Sequence, residues 1–165
     1  MLYGDEGKDE LYGGTDDDLV YGGDDDDTLY GGNGKDVLVG GDGNDTFYGG
    51  DKSDYLISTG GSDSLDGGGG SDVFVLAGGT VTISDFNEDE GDTLVIYLED
   101  YGASYDEDSG TVTISDSGTT YDSLEDFASD YVTFSDGGDY DLSEDGGIVT
   151  YENSSIDLTD YTDIF

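Results

Sequence analysis

The 165-residue chain sets 43 acidic residues against three lysines, a formal charge of −40, which excludes nucleic acid as a partner, disfavours anionic membrane surfaces and requires something cationic to complete a fold. Cys and His are both absent, and with them go disulfides, ordinary zinc sites, the Ser-His-Asp triad and Cys-His pairs. Pro is absent too and no run approaches the ~20 apolar residues of a bilayer span, so neither a collagen-like helix nor membrane insertion is expected.

From the N-terminus onward, 22 of the 30 glycines fall in residues 1–79 and return with a period of nine. A fixed short period marks stacked structural repeats. Residues 40–48 and 67–75 fit G-G-x-G-x-D-x-U-x without adjustment, U being apolar. In that frame the sixth position of eight successive units is Asp9, Asp18, Asp27, Asp36, Asp45, Asp54, Asp63 and Asp72. The eighth position is Leu11, Val20, Leu29, Leu38, Phe47, Leu56, Leu65 and Phe74. An acid and an apolar residue that recur without exception leave chance a poor explanation.

These units resemble the repeats-in-toxin (RTX) family of calcium-binding β-rolls, found in secreted toxins, alkaline proteases, lipases and the accessory modules of mannuronan epimerases. The resemblance implies an all-β fold in which residues 1–78 form a right-handed parallel β-roll. Each unit would give a six-residue turn and a three-residue strand, two units would make a coil, and Ca2+ would sit between the turns of successive coils. It further implies metal ligation by the eight position-six aspartates, with backbone carbonyls near Gly4, Gly13, Gly22, Gly31, Gly40, Gly49 and Gly67. Calcium chemistry agrees with this geometry. The ion takes about six to eight hard oxygens, Gly-rich turns can aim several carbonyls inward, and the Asp adds the charge that carbonyls lack.

With two units per coil, Asp9, Asp27, Asp45 and Asp63 line one edge, and Asp18, Asp36, Asp54 and Asp72 line the other. About six sites then lie between stacked turns, and divalent ions there offset roughly twelve charges, so most acids remain solvated. Asp24, Asp42 and Asp51 at position three are either additional ligands or plain turn residues. Some units depart from the pattern: Asp16, Asp25 and Lys52 stand where position four has Gly, and Ser58-Thr59 opens the seventh unit. The Lys52 turn is expected to be the weakest site, because Lys is strained in the left-handed region and brings positive charge to the metal.

Strand residues alternate faces, so positions seven and nine point outward when position eight points in. Odd units then present Glu10/Tyr12, Thr28/Tyr30, Thr46/Tyr48 and Ser64/Asp66, a half-polar face with a tyrosine ladder. Even units present Leu19/Tyr21, Val37/Val39, Tyr55/Ile57 and Val73/Val75, an apolar face that needs cover. Residues 79–165 or another copy of the chain could supply it.

Strict repetition ends at Gly78-Gly79, and a smaller β-rich cap is expected over residues 79–165. Strands are expected at 80–84, 93–97, 111–115 and 131–134, with a short helix at 123–127. The pair Ile83-Ser-Asp-Phe86 and Gly91-Asp-Thr-Leu94 resembles the exit motif that follows RTX repeats. The final residues Tyr161-Thr-Asp-Ile-Phe165 are similar to uncleaved C-terminal export signals of that family, though an ordinary terminal strand reads equally well.

Three functions are weighed. The first is a secreted calcium-binding β-roll that folds on calcium outside the cell or at its surface, after export that needs no signal peptide. The second is an extracellular structural protein that self-assembles through its outer sheet faces into a calcium-dependent fibre or surface layer. The third is a polysaccharide-binding accessory module of a carbohydrate-active enzyme. An enzyme is not expected, since nothing marks one carboxylate pair out from the rest.

Overall fold

A computed structural model describes residues 1–87, 89–97, 103–106, 111–114, 120, 121, 128, 130–134 and 148–151. Its architecture follows from the eighteen-residue spacing of like positions. Leu11 stands beside Leu29, Leu29 beside Phe47 and Phe47 beside Leu65 on one sheet. Val20, Leu38, Leu56 and Phe74 do the same on the other.

The first sheet takes β1 (Leu2–Glu6), β3 (Leu19–Asp24), β5 (Val37–Asp42), β7 (Tyr55–Ser58), β9 (Val73–Leu76), β11 (Thr93–Tyr97) and β16 (Ile148–Tyr151) in that spatial order. The second takes β2 (Glu10–Gly14), β4 (Thr28–Asn33), β6 (Thr46–Asp51), β8 (Ser62–Gly69), β10 (Thr80–Ile83) and β15 (Val132–Phe134). All neighbours in both sheets are parallel. Odd units build one sheet and even units the other, so the expected parallel β-roll with two nonapeptides per coil is the fold observed.

The position-eight column makes the core. Val20, Leu29, Leu38, Phe47, Leu56, Leu65 and Phe74 are buried and join Leu76, Ile83, Phe86, Leu94 and Ile96 in one apolar cluster between the sheets. A single coil cannot bury its own strand residues, so the stack of coils creates the interior. The outer faces differ as the alternation predicts. Leu19, Val37, Val39, Ile57, Val75 and Val95 form a second buried cluster on the even-unit side. On the odd-unit side Tyr12, Tyr30 and Tyr48 stack, with ring centroids 4.6 and 4.9 Å apart.

Beyond residue 78 parallel pairing continues through two more strands on each sheet, β11 and β16 on the first and β10 and β15 on the second. Thr82 of β10 pairs with Ser64, and Leu94 of β11 pairs with Phe74. Both strands were expected as part of the cap, and their parallel pairing extends the roll's hydrogen bonding past the last strict repeat. β1 precedes the first full unit in the same way, placing Leu2 beside Val20. Three short strands, β12 (Ala103–Asp106), β13 (Thr111–Ile114) and β14 (Thr120–Tyr121), form a separate antiparallel sheet. Tyr131, expected in a strand, is helical, and β15 starts one residue later. The helix expected at 123–127 and the chain's last fourteen residues lie outside the described residues. No described helix is long and apolar enough to cross a membrane.

Candidate metal sites

The sixth residue of each unit closes the turn just before the strand, and stacking at eighteen-residue intervals makes these residues a ladder. The backbone N–H of Asp9 donates to Asp27 Oδ1 at 2.8 Å, and that of Asp27 donates to Asp45 Oδ1 at 2.9 Å. The N–H of Asp45 donates in turn to Asp63 Oδ1 at 2.9 Å. On the other edge the N–H groups of Asp18, Asp36 and Asp54 donate to Oδ1 of Asp36, Asp54 and Asp72 at 2.7 to 2.8 Å. Each coil therefore fixes the carboxylate of the next, and the eight aspartates fall on two edges as their spacing predicts.

One oxygen of each carboxylate from Asp27 to Asp72 is used in this way, whereas Asp9 and Asp18 head the two edges and accept no ladder N–H. The other oxygen is a different matter: Oδ2 of Asp9, Asp27, Asp36, Asp45 and Asp54 is buried with no hydrogen-bond partner. Buried polar oxygens are almost always satisfied, and an unpaired buried charge costs several kcal/mol. Like charges repeated at the ~4.8 Å strand spacing would repel by roughly 3.5 kcal/mol per neighbouring pair at an effective dielectric near 20. Asp36 and Asp54 are fully buried, and Asp27 and Asp45 nearly so.

Burial therefore pushes the carboxyls away from the ordinary value of 3.8: Asp54 rises to about 7 and Asp45 and Asp72 to about 6. Asp27, Asp36 and Asp63 are raised for the same reason, with the backbone donor opposing the shift in each case. A cation at Oδ2 removes the conflict.

The turn glycines bring main-chain carbonyls close to the same oxygens. A Cβ on Gly22 would stand 2.4 Å from Asp27 Oδ2 and 2.5 Å from the Gly40 carbonyl oxygen of the next coil. The same arrangement recurs with Gly31, Asp36 Oδ2 and the Gly49 carbonyl, and with Gly49, Asp54 Oδ2 and the Gly67 carbonyl. Gly4 with Asp9 and the Gly22 carbonyl, and Gly13 with Asp18 and the Gly31 carbonyl, repeat it nearer the N-terminus. Gly40 and Gly67 likewise face Asp45 Oδ2 and Asp72 Oδ2, at 2.3 and 2.5 Å. All seven glycines expected from the sequence thus border a position-six carboxylate.

This donor set consists of hard oxygens, a carboxylate beside main-chain carbonyls, packed too closely to admit a side chain on the glycine. Ca2+ matches that chemistry. Among the described residues no three His, Cys, Asp or Glu side chains are placed to hold one metal ion together, so an ion here would need backbone oxygens as well.

The departures from the pattern separate in the structure. Asp25 and Lys52 do adopt positive φ, 79° and 78°, as substitutes for glycine. The Asp54 carboxylate next to Lys52 nevertheless keeps the same orphaned Oδ2 as its neighbours. Asp24, Asp42 and Asp51 are exposed.

Three features escaped the sequence pattern. Asp92 extends the even edge: its Oδ1 accepts from the Asp72 N–H at 2.8 Å and its Oδ2 from the Asn87 N–H. It follows Asp72 by twenty residues instead of eighteen, so a strict frame passes over it. Position five carries a second ladder running the other way, in which the N–H of Lys35, Asn44 and Ser71 donates back to Asp17, Asp26 and Ser53 side chains. Its signal was available, since position five is polar in every unit. The third is Ser58, whose Oγ donates to Asp63 Oδ2 at 2.6 Å.

A family model described as RTX calcium-binding nonapeptide repeat matches the chain four times, over residues 3–38, 30–56, 39–74 and 48–83. No curated protein and no solved structure matches it.

Proposed function

We infer, from the premise that residues 3–83 belong to the RTX calcium-binding nonapeptide repeats, that this protein is a calcium-driven folding module that works outside the cell. The chain carries RTX calcium-binding repeats in a β-roll; what is proposed is that the roll forms only when the metal arrives. The observation that carries the reading is the row of buried, partnerless Oδ2 atoms on Asp9, Asp27, Asp36, Asp45 and Asp54.

Asp9 to Asp72 at position six would hold the ions, together with the carbonyls of glycines that open the turns. Bound calcium supplies charge neutralisation and joins successive turns. The chain does the rest: Oδ1 holds the adjacent coil's N–H, and glycine lets the carbonyls of the next coil approach. Because the unfolded chain has no such sites, binding free energy becomes folding free energy. At trace calcium inside a cell the −40 chain stays extended, and in calcium-rich surroundings it coils. The roll over residues 1–78 carries this role, with residues 79–165 covering and terminating it.

A second reading, self-association, is favoured by one observation. The even face is buried, whereas Tyr12 and Tyr48 on the odd face are 57% and 40% exposed. That ladder is less suited to stacking on a glycan ring, because Tyr30 lies within 10° of parallel to both neighbours and their faces cover one another.

Far-UV circular dichroism in chelator, followed by titration with calcium, magnesium or sodium chloride, tests the main reading. At about pH 8, where the position-six carboxyls are ionised, calcium alone should convert coil to β-structure; a chain already folded in chelator at that pH sinks the proposal. Sedimentation of the same samples tests the second reading, which requires a larger species with calcium.

A further inference from the structure

We propose that the Asp63 turn ends its edge of the roll without a calcium ion, the Ser58 hydroxyl taking the ion's place. The inference rests on the calcium reading above and concerns which turns take part in it.

The seventh unit differs from the others in three connected ways. Its first residue is Ser58 where the units with orphaned carboxylates have Gly4, Gly22, Gly31, Gly40 and Gly49. Ser58 is fully buried, and its Oγ donates to Asp63 Oδ2 at 2.6 Å, the oxygen that in those five units has no partner. Ser58 thus supplies Oδ2 with a donor that glycine, having no side chain, cannot supply in those units. The second residue also departs. Position two has positive φ at Asp5, Gly14, Gly23, Gly32, Gly41, Gly50 and Gly68, but not at Thr59. Thr59 Oγ1 instead donates to the Gly41 carbonyl at 3.0 Å, tying the turn to the coil below through a side chain.

The next coil explains why the edge stops here. The residue paired with Asp63 is Val81 of β10, so no carboxylate arrives to accept the Asp63 N–H or to add charge. Val81 is buried in the apolar core. On the opposite edge the ladder runs on from Asp72 to Asp92 behind an unsubstituted Gly67. The two edges therefore end differently: one passes to a further carboxylate, while the other is closed by a hydrogen bond from a neutral hydroxyl to the Asp63 carboxylate.

Ion counting decides the matter, by native mass spectrometry and by calcium titration against a competing chelator on the full chain. Asp45→Asn should bind one ion fewer than the wild type, and Asp63→Asn the same number as the wild type. Ser58→Gly, which removes that donor, should bind one more. Loss of an ion in Asp63→Asn, or an unchanged count in Ser58→Gly, overturns the proposal. If Asp63→Asn fails to fold in saturating calcium, the Ser58→Gly count decides alone. A wild-type chain that binds no calcium overturns the calcium reading itself, and with it the contrast between turns; in that case no variant differs from the wild type.

Discussion

The strands and the turns of this roll repeat at the same eighteen-residue interval, yet they solve opposite problems. Strand position eight stacks Leu29 on Phe47 on Leu65, and the resulting column is satisfied by its own neighbours. Turn position six stacks Asp27 on Asp45 on Asp63, and each added coil brings another charge into a buried row. Apolar ladders become more favourable as they grow, whereas carboxylate ladders become less so unless a cation grows with them. Strands thus provide the shape, and on the proposed reading turns would make that shape conditional on calcium.

Removing calcium is the strongest way to separate the two. Chelation should abolish the cooperative unfolding transition altogether, a loss on the order of the ~5–15 kcal/mol stability of an ordinary domain. A thermal melt in chelator and in calcium checks it.

A core truncation should act differently. Phe47→Ala empties a fully buried position and is expected to cost about 3–5 kcal/mol. Denaturant titration in saturating calcium should show the full loss while the number of bound ions stays as in the wild type. Loss of ions in parallel with stability would mean that strands and turns are not separable.

Acid should act on the turns alone. Asp54, Asp45 and Asp72 have folded values of about 7, 6 and 6 against an ordinary 3.8. The folded state without metal therefore binds more protons than the unfolded chain between those values. Its stability contribution from these groups is full below the unfolded value and is lost as pH rises through the folded ones. In chelator, β-structure at about pH 5 should exceed that at about pH 8; calcium affinity should move the other way, since protons compete for the same oxygens. Circular dichroism and calcium titration across that range test both signs.

The smallest change is the most local. Gly22→Ala places a methyl 2.4 Å from Asp27 Oδ2 and 2.5 Å from the Gly40 carbonyl, so it should cost about 1–3 kcal/mol through overpacking. It should also remove one ion from the count. Gly7→Ala, with nothing within 4 Å of its added Cβ but a φ of 110°, is the control for backbone strain without a blocked site.

Much of this was legible in the amino-acid order because the repeat is one-dimensional. A period of nine with alternating inward and outward residues assigns every repeat strand to one of two sheets, predicts the core column from Leu11 to Phe74, and sets the eight aspartates on two edges. It also separates the tyrosine ladder from the apolar face. The period holds no information about what happens where it breaks. Asp92 is brought into the even ladder by an insertion that only the folded chain absorbs, and β10 and β11 join the roll by pairing with β8 and β9 although their residues no longer repeat.

Ser58 could be seen to depart from glycine, but only its position in the stack shows that its hydroxyl meets Asp63 Oδ2. Lys52 could be seen as a poor turn residue, and only the backbone shows that it takes the glycine conformation and leaves Asp54 arranged like its neighbours. Local sequence therefore determined the period, the two faces and the identity of the buried acids within the repeats, since each depends on residue type at fixed spacing. The tertiary stack decided which of those acids are left without a partner, because that depends on what the next coil, eighteen or twenty residues away, places against them.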